Sequence, residues 1–311
     1  EIKVKTQLIL GAEKEALDVM KLYNISPKTG FLAENPPTYL HHNHGDAALD
    51  AYLYNLDTIA YRPLHKLIAR GDVQRAVESL PPPPSPNSFL RLSRETRFRA
   101  ALLVEMIKHA YFREKYPYKN IGELMQDESI KILPAQLAIP SWALSKLTGI
   151  APSCAYGLYA AWNWKLKDDG MPIDLDNIEM LHSFTGSDDE KWFVNDHQAI
   201  DVRIAPTQPN LLAAQLLCDG KFVVSPTEAV TIAVTMYLDN ASEAYRGAIA
   251  VLKRMPERCD YKTYFDKVRL FYGFPKHVVF EGVLELNGEP QELLGETGGQ
   301  NPSIQFIIAA L

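Results

Sequence analysis

The chain has 311 residues, 47% of them hydrophobic, and a formal net charge of -6. This length and composition predict a globular protein with a large core and two domains, and they exclude a disordered chain. The negative balance argues against nucleic acid or an anionic membrane as a partner. Three cysteines without CxxC spacing exclude a disulfide scaffold and a zinc ribbon. No signal peptide opens the chain and no apolar run approaches the roughly 20 residues that span a bilayer, so we expect a cytoplasmic protein.

Helical patterns dominate the first half of the chain. Apolar residues recur at helical spacing in residues 8–23, 47–70, 93–116, 141–149 and 152–166. The second of these segments is interrupted near Pro63, and Ser93 is the predicted N-cap of the third. Four consecutive prolines, residues 81–84, predict a stiff extended connector between helices.

Capping-box patterns mark two helix starts in the second half. Ser187 is followed three residues later by Glu190, and this helix is predicted to end before Pro206. Ser225 and Glu228 repeat the pattern, with proline at the first helical position. Both patterns therefore predict long helices.

Strand-like alternation is confined to residues 277–294, where Asn287-Gly288 is the predicted hairpin turn. A last internal helix is predicted over residues 260–273. The sequence thus predicts an all-α fold with one small β-hairpin.

The glycine loop, residues 295–300, is the most distinctive local motif, with three glycines whose backbones adopt conformations closed to other residues. Asn301 and Pro302 predict an N-cap and a first helical turn, and the apolar residues 304–311 predict the helix that follows. A loop of this kind is either a structural turn or a cradle for an anion. It is not a Walker motif, because no lysine follows Gly299, and no βαβ context makes it a dinucleotide fingerprint.

His197 and Arg269 are the side chains that the pattern singles out for chemistry. His197 lies four residues beyond Phe193 on one predicted helix face, so the pair either lines a pocket or packs structurally. Arg269 is a cation with Phe265 and Tyr272 at helical spacing. It suits bidentate recognition of a carboxylate or an internal salt bridge. No histidine cluster has a partner at metal-site spacing, so no metal ligand is assigned.

Several short motifs occur in a fixed order along the chain. They are Tyr23-Asn24-Ile25-Ser26, Gly30-Phe31, Ile139-Pro140, Trp162-Asn163-Trp164-Lys165, residues 183–187, 190–193, 265–269, 280–283 and the glycine loop. In this order, from about Tyr23 to Leu311, they resemble the indoleamine 2,3-dioxygenase family of haem enzymes.

The resemblance implies an all-α fold of two helical domains with a haem site. The smaller N-terminal domain covers residues 1–184, and the haem and substrate domain covers residues 185–311. It implies haem b, with its iron, as cofactor and O2 as co-substrate. The implied reaction inserts both atoms of O2 across the indole C2–C3 bond of tryptophan and gives N-formylkynurenine.

Alternatives to this reaction stay open. The same resemblance includes oxygen-storage proteins of molluscs, so one alternative is a haem protein that binds O2 without chemistry. Another is an oxygenase that acts on a different aromatic substrate, and a third is a helical protein that binds no haem. The implied partner is a small indole, and we expect a monomer or a weak homo-oligomer.

The resemblance also implies roles for individual residues. The distal pocket walls are Tyr156, Tyr159, Phe193 and Tyr264, of which Tyr156 and Phe193 also contact the haem. Arg269 pairs with the substrate carboxylate, and His197 accepts the indole N–H; these two are the catalytic assignments. Thr297 and Gly298 approach a haem propionate and the substrate ammonium, and Gly299 belongs to the cofactor contact.

This chain departs from the family at the helix that carries His197. Many members have a serine there, whereas the related tryptophan 2,3-dioxygenases place a histidine in the corresponding pocket. A neutral imidazole is able to accept the indole N–H. Asn195 and Asp196 are also more polar than the usual apolar pair, so the choice of substrate stays open.

The axial iron ligand is not assigned in this chain. In the family it is a histidine well beyond the glycine loop, and haem iron normally needs one protein ligand. His109, His182 and His277 do not match its position. We therefore expect the ligand beyond Leu311.

Overall fold

The chain folds mainly into α-helices in the computed structural model, which describes residues 2–61, 63–219, 228–293, 295 and 298–310. The α-helices are α1 Ile2–Leu22, α2 Ala47–Tyr61, α3 Leu64–Arg70, α4 Val73–Glu78, α5 Arg94–Lys115, α6 Ile121–Gln126, α7 Ala135–Thr148, α8 Tyr156–Tyr159, α9 Asp188–Ile204, α10 Thr207–Cys218, α11 Glu228–Leu252, α12 Tyr261–Thr263, α13 Arg269–Tyr272 and α14 Pro302–Ala310. The strands are β1 Lys131–Leu133, β2 Trp164–Leu166, β3 Ile178–Met180, β4 His277–Phe280 and β5 Gln291–Glu292. The predicted all-α class is confirmed.

Capping side chains set several helix starts where the sequence predicted them. Ser93 Oγ accepts the Thr96 amide at 3.2 Å at the start of α5. Ser187 Oγ accepts the Glu190 amide, also at 3.2 Å, at the start of α9. Asn301 Oδ1 accepts two amides at the start of α14. These predictions are confirmed because a cap is a contact within a few residues of chain.

Three other helix predictions meet different outcomes. The break near Pro63 is confirmed, since α2 ends before it and α3 follows it. The second capping box lies mostly outside the described residues, although α11 begins at Glu228. The predicted helix over residues 152–166 is wrong, because only α8 is helical there and β2 follows it. Trp164 is buried and pairs with Met180 of β3, and this pairing overrides the local helical pattern.

The strands form two small sheets. β4 pairs antiparallel with β5, as the predicted hairpin requires, but β4 ends at Phe280 and Gly282 has φ +77°. β1 lies parallel to β4 on its other side, with Lys131 opposite Val278. β2 and β3 form a separate antiparallel pair. The sequence did not predict these last two pairings because they join distant segments.

Helix α5 is the centre of the main core. It is buried on all sides from Arg99 to Phe112 and packs against α2, α7, α8 and α13. A second cluster joins α1 to α10 and α11 through Ala16, Ala213 and Tyr237. The main core takes buried residues from both sides of residue 184, so the division into two domains stays a prediction. No described helix combines the length and apolar character needed to cross a bilayer.

Candidate functional site

Aromatic side chains from α8, α9 and residues 261–272 form one continuous series of contacts, here called the ring array. In order of contact the members are Tyr264, Phe193, His197, Tyr156, Tyr159 and Tyr272. Successive ring centroids lie 4.0, 4.4, 6.0, 5.8 and 4.8 Å apart, and the pairs are stacked, tilted or edge-to-face. All members except Tyr272 were assigned to the site from the sequence, so the structure brings those predicted residues together.

His197 is held as one neutral tautomer. Its Nδ1 lies 2.8 Å from the carbonyl oxygen of Phe193, one turn earlier on α9. Because a carbonyl oxygen only accepts, Nδ1 carries the proton and Nε2 keeps its lone pair. Burial lowers the pKa of His197, which favours the neutral imidazole. The side chain is therefore a hydrogen-bond acceptor inside an aromatic surround.

A π-helical turn separates Tyr264 from Arg269. α12 gives way to the π turn Tyr264–Val268, and the Arg269 amide donates to the Tyr264 carbonyl in an i→i+5 bond. In this turn, residues five apart lie one turn apart on the same side. In a regular α-helix, which has about 3.6 residues per turn, residues five apart point in different directions. Phe265, which the sequence predicted to lie beside Arg269, is 55% exposed. Because of the i→i+5 bond, the aromatic residue one turn from Arg269 is Tyr264 instead. The structure places Arg269 half-buried at the first position of α13.

Glu190 and Tyr272 fix the far end of the ring array. Glu190 is fully buried and accepts the amides of Phe184 and Thr185 at 2.8 and 2.7 Å. It also accepts the Tyr272 hydroxyl at 3.2 Å. The Glu190 side chain thus binds the loop before the helix, while the Ser187 amide donates to Thr185 Oγ1 at 3.2 Å. Burial raises the pKa of Glu190, although these hydrogen bonds oppose the shift.

Two consecutive residues of α5 anchor the segment that leads into α8. Lys108 Nζ donates to the Pro152 carbonyl at 2.6 Å, and His109 Nε2 accepts the Cys154 amide at 3.0 Å. His109 Nδ1 donates to the Phe271 carbonyl at 2.8 Å. Burial, followed by the charge of Lys108, lowers the pKa of His109 to about 3. With both nitrogens bonded, His109 has no lone pair for a metal.

The other two histidines that the sequence analysis set aside are placed elsewhere. His277 lies with Nε2 2.9 Å from a carboxylate oxygen of Glu128. His182 is half-buried, and desolvation of its ring and the charge of Arg99 lower its pKa to about 3. No group of three or more His, Cys, Asp or Glu side chains is arranged to hold a metal ion in the described part of the chain.

The glycine loop packs tightly at one end and is open at the other. A Cβ at Gly295 would lie 2.8 Å from the Tyr272 carbonyl oxygen, so only glycine fits this approach. A Cβ at Gly298 would meet no atom within 4 Å, and Gly298 and Gly299 are exposed. Gln300 Oε1 accepts the Tyr156 amide at 3.3 Å, which joins the loop to the ring array. Thr297 lies outside the described residues.

The helix that follows the glycine loop already contacts an anion of the protein. Asn301 Oδ1 accepts the amides of Ser303 and Ile304 at 2.8 and 3.1 Å. The Asp201 carboxylate accepts hydrogen bonds from the Asn301 amide nitrogen and the Ser303 hydroxyl at 3.0 and 2.9 Å. Because these donors are bonded internally, an external anion here would contact Gly298 or Gly299 rather than the helix start.

One surface groove lies away from these residues. Its volume is about 720 Å³, and it runs between α2, α3 and α4 with Lys66, Arg70 and Arg75 in its lining. None of the predicted site residues lines it. The closely packed ring array, rather than this surface groove, therefore carries the functional argument.

Sequence reasoning missed Asp201, Glu190 and Tyr272 as parts of the site. Asp201 lies four residues beyond His197 and so on the same face of α9, which was a usable signal. An acid at that spacing is usually solvated, and its burial depends on contacts with α8 and α14. Tyr272 was noticed only for its spacing from Arg269.

Comparisons with known proteins agree on one family. The family model Indoleamine 2,3-dioxygenase matches residues 19–311. Indoleamine 2,3-dioxygenase 1 of Rattus norvegicus is 26% identical over 299 residues, which cover 93% of this chain and 65% of the rat protein. The Mus musculus protein of the same name is 26% identical over 261 residues, covering 82% and 58%. Indoleamine 2,3-dioxygenase nanC of Aspergillus nanangensis is 25% identical over 261 residues, covering 81% and 55%. The chain thus spans less than two thirds of the length of these relatives.

Proposed function

The chain belongs to the indoleamine 2,3-dioxygenase family, and on this premise we propose that it is a haem-dependent dioxygenase for tryptophan or a related indole. The reaction inserts both atoms of O2 across the indole C2–C3 bond and gives an N-formylkynurenine-type product. The observation that carries the proposal is the ring array, which gathers aromatic residues from three segments around one neutral imidazole.

The residues proposed to hold haem b are Tyr156, Phe193, Thr297, Gly298 and Gly299. One feature supports this fit. The bare backbone at Gly298 has open space around it, which suits the edge of a large anionic group. Haem supplies the iron at which O2 reacts. The axial ligand expected beyond Leu311 stays a prediction.

His197 is the proposed acceptor for the indole N–H. Its Nδ1–H already donates a hydrogen bond to the Phe193 carbonyl oxygen. The Nε2 lone pair is therefore the acceptor left for a substrate. A buried donor–acceptor pair discriminates strongly against ligands that lack the donor, because the acceptor then stays unpaired. This side chain would orient the indole and select for an unsubstituted ring nitrogen.

Arg269 is the proposed partner of the substrate carboxylate. The π turn supports the assignment, because it places Arg269 one turn from Tyr264, which stacks on Phe193 at a centroid distance of 4.0 Å. Guanidinium binds carboxylate with two parallel hydrogen bonds. Tyr156 and Tyr159 are 0% and 1% exposed, so they would keep water from the reacting indole.

The test is reconstitution of the full-length protein with haem, followed by anaerobic titration with L-tryptophan and then addition of O2. The proposal expects a Soret band, a change in that band on tryptophan binding, and release of N-formylkynurenine after O2 is added. A stable oxygenated haem without product would favour an O2-binding protein instead. Absence of a Soret band would contradict the proposal altogether.

A further inference from the structure

Asp201 joins three parts of the fold through one buried carboxylate. Its Oδ2 accepts the Tyr156 hydroxyl at 2.7 Å. Its Oδ1 accepts the Asn301 amide nitrogen at 3.0 Å and the Ser303 hydroxyl at 2.9 Å. The side chain is 0% exposed. One group on α9 thus contacts the ring array on α8 and the first turn of α14.

The donors around Asp201 are cross-linked to one another. Asn301 Nδ2 donates hydrogen bonds to both the Asp201 carboxylate and the Tyr156 hydroxyl, the latter at 2.7 Å. Its Oδ1 at the same time caps the amides of Ser303 and Ile304. The residue that starts α14 is therefore the residue that holds the Tyr156 hydroxyl. A shift of either element breaks contacts of the other.

Asp201 has neutral surroundings. No ion pair to this carboxylate is found among the described residues, and its hydrogen-bond partner on α8 is the neutral Tyr156. α14 carries no ionisable residue, and α10 reaches the cluster through the neutral Gln208, whose Nε2 donates to Ser303 Oγ at 3.3 Å. On α9 itself His197 lies one turn earlier. Burial raises the pKa of Asp201 to about 6, so the carboxylate is charged near neutral pH and relies on its three donors.

We propose that Asp201 is a positioning residue that docks α14 and the glycine loop onto the ring array, and so sets the substrate affinity of the site. The docking part stands on the described contacts alone. The affinity part rests on the proposed function. The glycine loop is included in the docking because its last residue, Gln300, accepts a hydrogen bond from the Tyr156 amide through its side chain.

Asp201→Asn tests the proposal with little change of shape. The asparagine amide nitrogen would face donors where a carboxylate oxygen now accepts, so at least one of the three donors loses its partner. We expect amide exchange in residues 302–310 to quicken by about tenfold or more, measured by hydrogen exchange on the whole chain without ligand. Residues of α5 would exchange as before.

Two further variants keep this test decisive. Asp174→Asn removes a carboxylate that pairs with Arg203 near the surface, and it serves as the control with unchanged exchange in α14. Ser303→Ala removes one donor and leaves Asp201 in place, so its effect on α14 should be smaller but in the same direction. Wild-type exchange of α14 in both Asp201→Asn and Ser303→Ala would overturn the docking.

Tryptophan affinity of the haem-loaded protein tests the second part. We expect Asp201→Asn to raise KM by about tenfold with a smaller change in kcat, since the proposed catalytic residues His197 and Arg269 are not replaced. Faster α14 exchange with unchanged KM would overturn the link to affinity. If the wild-type protein neither binds nor oxidises tryptophan, the proposed function fails, whereas the exchange result still decides the role of Asp201.

Discussion

His197 Nδ1–H donates a hydrogen bond to the carbonyl oxygen of Phe193 at 2.8 Å, and the His197 ring packs on the Phe193 side chain at a centroid distance of 4.4 Å. One residue pair, a single helical turn apart, thus fixes both the tautomer and the plane of the imidazole. The lone pair that remains is on Nε2. In the proposed function, this acceptor distinguishes ligands that carry an indole N–H from ligands that lack one.

Replacement of His197 by phenylalanine removes the acceptor and keeps an aromatic ring. We expect His197→Phe to weaken tryptophan binding by about 0.5–1.5 kcal/mol, the usual net value of one hydrogen bond. Binding of 1-methyltryptophan, which has no indole N–H, should change much less. Parallel equilibrium titrations of the haem-loaded variants measure both. An equal loss for the two ligands would contradict the role given to Nε2.

Replacement of Arg269 by alanine removes the proposed carboxylate partner. Because a hydrogen bond to a charged group contributes about 1.5–3 kcal/mol, we expect Arg269→Ala to weaken tryptophan binding by roughly 10- to 100-fold. Tryptamine lacks the carboxylate, so its affinity should hardly change. Arg203→Ala is the matched control, since Arg203 pairs with Asp174. Unchanged tryptophan affinity in Arg269→Ala would remove the assignment.

Asp196 predicts a pH-dependent stability. Its carboxylate is fully buried, with no hydrogen-bond partner among the described residues, and burial raises its pKa from 3.8 to about 7 despite the charge of Arg254. Between these values the folded state binds more protons than the unfolded state, so stability falls as pH rises from about 4 to 7. Asp196→Asn should therefore have nearly the wild-type melting temperature at pH 4 and melt a few degrees higher at pH 8. The same difference at both pH values would rule out this carboxyl as the cause.

The buried ion pair of Lys108 and Glu105 predicts a strong destabilisation when only one partner is removed. Ser141 Oγ donates to Glu105 at 2.6 Å and Lys108 also holds the Pro152 carbonyl, so the pair positions the approach to α8. Lys108→Met leaves a buried charge uncompensated and should cost about 3–5 kcal/mol in urea unfolding. Adding Glu105→Leu should recover most of that loss. A single variant as stable as the wild type would contradict this account.

Local sequence signals predicted the elements that local contacts build. Ser93, Ser187 and Asn301 were identified as caps because a cap joins residues two or three apart. The members of the ring array apart from Tyr272 were assigned through the ordered motifs, and the structure brings them together. Their roles toward substrate and haem stay predictions.

Features that depend on distant contacts were not predictable in the same way. The π turn after α12 changes which aromatic residue lies beside Arg269, and nothing in the spacing of residues 260–273 marks it. Asp201 becomes part of the site only when Asn301 and Ser303, at the start of α14, donate to its carboxylate. β1 joins β4 across more than a hundred residues. The burial of Asp201 and the pairing of β1 with β4 depend on tertiary contacts that local spacing does not encode.

The most direct test of the central claim is the fate of labelled dioxygen. Haem-loaded protein is mixed anaerobically with L-tryptophan, exposed to oxygen-18 dioxygen, and the products are analysed by mass spectrometry. The account predicts N-formylkynurenine in which both inserted oxygen atoms carry the label. Unchanged tryptophan, or a product with only one labelled oxygen, would contradict it.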